Sequence, residues 1–333
     1  MLLTELYHGQ GLGNQLFAYV TTRMLAEYHG YDYGIIGREN LGDPRHNKDG
    51  LYFMDLDLGL NPEGGVSPPG GPPTELPDGI EQHYFEYRHG LPTDEILHTD
   101  IRLTDKGMFN LKDNTKIDGN FQSEDYFCGN LDKVKEWLKV KEEFDHKDTY
   151  GDNICVMNFR GGDMVGNAGG FVPRSYWDKA IKRMTEYNPD MQFCIVTDDV
   201  ETANKMLPEY PAYHRDVAWD YCAIKNAKYV IASTSTFACF PLWTSETVEY
   251  CIAPKYWFHH NLSDGWWSLG CGIYSFVSQY MDLDGNLFTP EQCRMELVEY
   301  IKQHPELYHN DEIEKDIEAA DDFINGVKYY AKD

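Results

Sequence analysis

Basic residues are scarce in this chain: 29 lysines and arginines face 55 aspartates and glutamates, giving a formal net charge of -26. A nucleic-acid binder needs a basic face, so that class is excluded. The same shortage makes each arginine informative, because a phosphate-bearing ligand would have to be held by a few cations and by backbone amides. Long apolar runs are missing too, and none approaches the ~18–20 residues of a membrane span. The amino terminus lacks a basic stretch followed by an apolar one, so no secretory signal is expected. The eight cysteines never fall at C-x-x-C spacing and mostly sit in apolar runs, as free buried thiols do. A cytoplasmic protein is the simplest expectation. The twelve histidines include no H-E-x-x-H pattern, and no internal repeat is present.

What is there reads as globular. Hydrophobic residues make up 42% and aromatics 14% of 333 residues, a length that suits two domains. The stretch that organises the chain runs from Asn153 to Asp163. Ile154 to Phe159 is apolar and rich in strand formers, and Arg160-Gly161-Gly162-Asp163 follows at once. An arginine at the carboxyl end of a buried strand lies where open α/β sheets bind ligands. Its planar fork suits two phosphate oxygens. An Arg160–Asp163 pair that only braces a turn is the plainer alternative. Downstream, Ser175 to Tyr187 reads as an amphipathic helix, Phe193 to Thr197 as a strand ending in Asp198-Asp199, and Glu201 to Met206 as a helix. Asp220 to Ala227 reads as a helix, Tyr229 to Ala232 as a strand closed by Ser233-Thr234-Ser235-Thr236, and Glu249 to Ala253 as a strand. That alternation predicts a parallel sheet with helices on both faces. It places three polar strand ends on one edge: Arg160 with Asp163, Asp198 with Asp199, and the hydroxyl cluster. Together they point to a nucleotide site. A carboxylate there could accept from guanine N1–H and its amino group, which adenine cannot offer.

The first half opens with a strand over Leu2 to Tyr7, then Gly9-Gln-Gly11-Leu-Gly13-Asn14-Gln15, then a helix to about His29 that Gly30 stops. A glycine turn at a helix amino terminus can hold an anion, or it can simply be a tight turn. It fits neither the G-x-G-x-x-G fingerprint nor a phosphate loop with its G-K-[ST] ending. Asn61 to Gly79 holds six prolines and five glycines and is a loop, either a surface excursion or a flap beside an acceptor cleft. Lys116 to Phe127 carries a Gln-Ser-Glu-Asp cluster, and Leu131 to Val140 looks helical. The domain boundary is expected near residue 150, dividing 1–150 from 151–310, with 311–333 as an acidic surface helix. Asp55-Leu-Asp57 and Asp282-Leu-Asp284 have a D-x-D form found in some metal-dependent transferases, but such matches are frequent in so acidic a chain. Thr289-Pro290-Glu291-Gln292 reads instead as a helix start, with a first-turn proline and a capping-box glutamine. Trp266-Trp267 could stack on a sugar or lie in the core.

Several blocks, in order, resemble those of the α-1,2-fucosyltransferases and the wider α-1,2/α-1,6/protein O-fucosyltransferase group. Gly11 to Phe17 is similar to its G-x-L-G-N-Q-[ML]-F block, and Gly119 to Phe127 to its G-[YF]-[FW]-Q-S-[EY]-K-Y-F block. Asn158 to Asp163 stands at its H-x-R-R-x-D motif. Phe193 to Asp199, Ile231 to Phe237 and Ile252 to Phe258 match three further blocks. The resemblance covers roughly residues 1 to 260. It implies a GT-B-like α/β fold of two Rossmann-type domains facing a central cleft, with an amino-terminal acceptor side and a carboxy-terminal half holding GDP-fucose. It implies inverting transfer of L-fucose to a glycan hydroxyl, α-1,2 in linkage, with no metal required. Arg160 would neutralise the departing β-phosphate and Ser233 to Thr236 would hold phosphates. Asp198 or Asp199 would read guanine, while Gly11, Gly13, Asn14, Gln15 and Asn158 would line the ligand. Asp163 is the first choice for base and Glu124 the second. The family histidine is Asn158 here, and its second arginine is Gly161, which removes one positive charge. Another GDP-sugar as donor, or a non-catalytic glycan or nucleotide-sugar binder, are the alternatives this leaves.

Overall fold

The computed structural model describes residues 1–42, 50–67, 75–86, 103–147, 151–263 and 270–303. These form two compact units, residues 1–86 with 104–141 and residues 142–303, so the chain divides after Lys141. Residues 311–333, Trp266-Trp267 and the middle of the proline-rich loop lie outside the described residues.

The first unit contains β1 (Leu2–Glu5), α1 (Leu12–His29), β2 (Tyr33–Ile36), β3 (Gln82–Phe85), β4 (Thr115–Asp118) and α2 (Leu131–Trp137). Its sheet has the order β2-β1-β4-β3, all parallel. Leu16, Val20 and Met24 put one side of α1 into the core. Gly30 ends the helix in the left-handed region at φ 73°, its amide on the carbonyls of Ala26 and Glu27, a conformation glycine adopts without a Cβ penalty.

The second unit runs β5 (Ile154–Phe159), α3 (Arg174–Tyr187), β6 (Gln192–Thr197), α4 (Val200–Met206), β7 (Ala212–Tyr213), α5 (Val217–Lys225), β8 (Tyr229–Ala232), α6 (Cys239–Thr244), β9 (Tyr250–Pro254), β10 (Gln279–Met281), β11 (Leu287–Phe288) and α7 (Pro290–Gln303). The sheet order is β11-β10-β9-β8-β5-β6-β7, parallel except for β11. Counted from β5, the six strands from β7 to β10 follow the order 3-2-1-4-5-6 of a doubly wound nucleotide-binding sheet. The α/β class and parallel sheets expected from the alternation are therefore what the chain forms. Met157, Phe159, Trp177, Ile195, Ile231 and Ile252 pack into one core beneath α3. Burying a side chain of that size contributes roughly 1.5–3 kcal/mol.

Strands β7, β10 and β11 were not expected; two or three residues are too short to show a period. Helix α5 starts at Val217, earlier than Asp220, because Asp216 caps it by accepting from the Trp219 amide at 2.8 Å. The capping box at α7 is present: the Thr289 amide donates to Gln292 Oε1 at 2.7 Å and the Gln292 amide to Thr289 Oγ1 at 3.2 Å. All eight cysteines are unpaired; Cys128 is half-buried and the other seven are buried. No described helix is long and apolar enough to cross a membrane.

Candidate functional site

In the second sheet the chain leaves β5 toward β6 and β7 and later returns to lay β8 on the other side. The crevice outside the carboxyl ends of β5 and β8 is thus the topological switch point, where such sheets bind ligands. Arg160 stands there. Parallel pairing sets Phe159 opposite Thr197, so the next residues, Arg160 and Asp198, emerge side by side. Arg160 Nη1 donates to Asp198 Oδ2, and Nη2 donates to Asp163 Oδ1 at 2.6 Å. The Gly161 amide donates to the other Asp198 oxygen at 2.9 Å, and the Gly162 amide to Asp199 Oδ2 at 3.2 Å. Gly162 takes a left-handed φ of 49°, which bends the loop under the guanidinium. Asp199 also caps α4, accepting from the Thr202 amide at 3.0 Å and its hydroxyl at 2.6 Å. The Thr202 bonds, the hydroxyl first, hold its carboxyl below the usual carboxylate range despite some burial.

The fork of Arg160 is 28% exposed, so it is held in place but reachable. Asp163, at 72%, is free to swing away, whereas Asp198, at 22%, is the fixed partner. The pairing with Asp163 means that the turn-bracing contact exists; it leaves Nε and the outer edge of the fork for a ligand.

The hydroxyl cluster divides. Ser233 is buried and donates to Asn158 Oδ1 at 3.3 Å, and Thr234 is buried and donates to the Gly170 carbonyl at 2.7 Å. Ser235 is buried and caps the short turn Thr236–Ala238, its oxygen 3.3 Å from the Phe237 amide. Only Thr236 is partly open. Phosphate contact at this strand end therefore falls to Thr236 and the turn's amides, with Asn158, itself 4% exposed, supporting from beneath.

One further pair on this edge has no counterpart in the sequence reading. His214 follows β7 directly, and its Nδ1 lies 2.6 Å from Asp220 Oδ2. The Asp220 hydrogen bond raises the His214 pKa above its ordinary 6.5, with Asp198 adding a smaller push. Burial raises that of Asp220 in spite of the histidine. A two-residue strand without periodicity gave no means of placing His214 beside Asp198.

The remaining expected residues lie in the first unit. Gly11 precedes α1 in extended backbone. Gly13 is buried within α1. Gln15 is buried and works as a strut: its Nε2 donates to the carbonyls of Gln10 at 3.0 Å and Asn40 at 2.6 Å, and its Oε1 accepts from Gly42 at 2.8 Å. Asn14 Oδ1 accepts from Gln122 at 2.9 Å, joining two of the blocks noted in the sequence. Glu124 is 3% exposed. Of the D-x-D carboxylates, Asp55 pairs with Lys141 at 2.8 Å, while Asp57 and Asp282 accept amides of their own turns. Among the described residues no three His, Cys, Asp or Glu side chains converge as a metal site would need.

No family model matches the chain. No curated protein matches it either. Among solved structures it is similar to the α-1,6-fucosyltransferase NodZ soaked with GDP-fucose, at 13% identity and a TM-score of 0.42, covering 76% of this chain and 94% of that one. NodZ from Bradyrhizobium gives 13% identity and 0.42 over 86% of this chain and 97% of the other. POFUT1 in complex with GDP-fucose gives 7% and 0.35 over 76% and 97%.

Proposed function

We propose that this chain is an inverting glycosyltransferase that moves L-fucose from GDP-β-L-fucose to a glycan hydroxyl, forming an α-1,2 linkage to a galactoside without a metal ion. The observation that carries the reading is Arg160 at the switch point of a 3-2-1-4-5-6 sheet, held by Asp198 with its fork still reachable. The six blocks of fucosyltransferase-like sequence support the choice of donor. As the bond to the diphosphate breaks, negative charge grows on the leaving oxygen, and a pre-placed guanidinium stabilises that charge more than the ground state. A carboxylate at the β6 end, Asp198 or Asp199, reads guanine.

A second reading is a non-catalytic nucleotide-sugar binder, and the double engagement of Arg160 by Asp163 and Asp198 favours it. Calorimetry with GDP, UDP and ADP tests the shared part. An unpaired buried polar group costs about 1–3 kcal/mol, so GDP should bind at least several-fold more tightly than the others. Equal affinity for UDP would overturn the guanine assignment. Turnover of GDP-fucose separates the enzyme from the binder.

A further inference from the structure

The carboxyl edge of the first unit's sheet carries a polar cluster that nothing above uses. In the β3–β4 pairing His83 stands opposite Lys116 and Phe85 opposite Asp118, which puts all four side chains on one face. Lys116 is wholly buried, its Nζ 2.8 Å from Glu5 Oε2 and 3.4 Å from Asp118 Oδ2. Asp118 accepts from the Tyr7 hydroxyl at 2.5 Å, and its Oδ2 binds Nε2 of His83. Glu5 accepts further from the Ser67 amide at 2.6 Å and hydroxyl at 3.0 Å. Burial, and then the charge of Asp118, pushes the Tyr7 phenol far above its ordinary value, so Tyr7 stays a donor.

The charges in this cluster do not cancel. Glu5 and Asp118 are negative, Lys116 alone is positive and Tyr7 is neutral. One negative charge is left, against the imidazole, and it is balanced when His83 takes a second proton. That is the arrangement by which a buried aspartate makes a neighbouring histidine a base. Because Nε2 donates to Asp118, the lone pair of the neutral ring is on Nδ1. Nδ1 has no hydrogen-bond partner among the described residues, and the side chain is 22% exposed. Phe85 is 67% exposed, its ring centroid 4.1 Å from that of His83. An open aromatic face takes the C–H side of a sugar ring, while acceptors beside it take the hydroxyls. The location agrees: β1 leads to β2 on one side and β4 lies on the other, so β1 and β4 flank this sheet's own switch point.

We propose that this edge binds the glycan acceptor, with Phe85 as the stacking platform, His83 as the general base and Asp118 as the residue that positions it. The base role rests on the transferase reading; the binding role does not. In the transfer step the acceptor oxygen bonds to the anomeric carbon, and the carbon–oxygen bond to the diphosphate breaks with its electron pair leaving on GDP. The acceptor proton goes to Nδ1 of His83. Neither carboxylate suggested by the sequence is as well prepared, since Asp163 is paired with Arg160 and Glu124 is buried.

Saturation-transfer NMR on a mixture of lactose, cellobiose and chitobiose, without donor, tests the binding. At least one sugar should receive saturation from the wild-type chain and lose it with Phe85→Ala, while GDP binding is unchanged. No signal, or a signal indifferent to Phe85→Ala, overturns the site. With GDP-fucose and the sugar that binds, His83→Gln should lower transfer by about 10²–10⁴-fold. It should keep the sugar signal and the slow hydrolysis of donor by water. The rise of kcat with pH should vanish in His83→Gln and shift in Asp118→Asn, with KM for the sugar nearly constant. The groups facing the ring in that titration are Asp118, Lys116, Tyr7 and Glu5. Wild-type transfer by His83→Gln overturns the base. Sugar binding through Phe85 with no turnover in the wild type would strike the transferase reading and the base together, and leave the binding site standing.

Discussion

A Cβ on Gly161 would stand 2.5 Å from the Cβ of Asp199 and 3.0 Å from its Oδ2. The glycine at the second position of the arginine motif is thus fixed by packing: β6 delivers Asp199 into the space a larger side chain would need, and Asp199 cannot move without giving up the cap of α4. The absence of a second arginine follows from how this loop is built.

Gly161→Arg should therefore not improve the site. Displacing Asp199 loses a helix cap, a change that costs about 0.5–2 kcal/mol, with backbone crowding in addition. A lower Tm together with weaker GDP binding is expected. Tighter GDP binding at unchanged Tm would show that the loop has room after all.

Arg160→Ala should lower donor turnover by at least ~10²-fold, the scale of losing one pre-placed donor to a developing negative charge. Arg160→Lys keeps the charge but loses the planar fork, and should fall between the variant and the wild type. Both should fold, because the pairs lost are at the surface, where such contacts contribute about 1 kcal/mol or less. Turnover and a thermal melt on each variant check this; near-normal turnover in Arg160→Ala would reduce Arg160 to a brace for its turn.

Transfer should survive EDTA. The carboxylates at Asp55, Asp57 and Asp282 are engaged by Lys141 or by their own turns. Activity abolished by the chelator and restored by Mn²⁺ would overturn the metal-free mechanism.

The His214–Asp220 pair makes stability pH-dependent. The His214 pKa is raised on folding, so its contribution is complete below its ordinary 6.5 and is lost as pH rises through the higher folded value. Burial raises the pKa of Asp220, so the folded chain again holds the extra proton, and stability again falls as pH rises. Since His214 is partly exposed, the effect should be under ~1 kcal/mol. The Tm should be slightly lower at about pH 8 than at about pH 6, and His214→Gln should remove that part of the difference. A Tm that rises over this range through His214 would contradict the pairing.

The parts of the molecule legible in the sequence are those with continuous apolar runs. β5, β6 and β8 are buried on both faces and announce themselves, and their ends gave Arg160, Asp198 and Asp199. That Asp198 holds Arg160 depends on the register between β5 and β6, which periodicity does not contain. Nor does sequence tell an inward hydroxyl from an outward one, which is why Ser233 and Thr234 read the same as Thr236. His83 was invisible for a different reason. It lies 35 residues from Asp118, on a half-exposed edge strand without alternation, and only the fold brings the two together.

The distribution of thiols separates the two units as reporters. Cys128, the half-buried one, belongs to the first unit, and the seven buried ones, from Cys155 to Cys293, all belong to the second. Burial leaves Cys155 and Cys251 strongly disinclined to ionise, so a maleimide reaches them only when the second unit opens. The count of labelled sulfurs over time is then a clock for the nucleotide-side unit alone, and a bound nucleotide can be read as a delay in that clock with no catalytic assay at all.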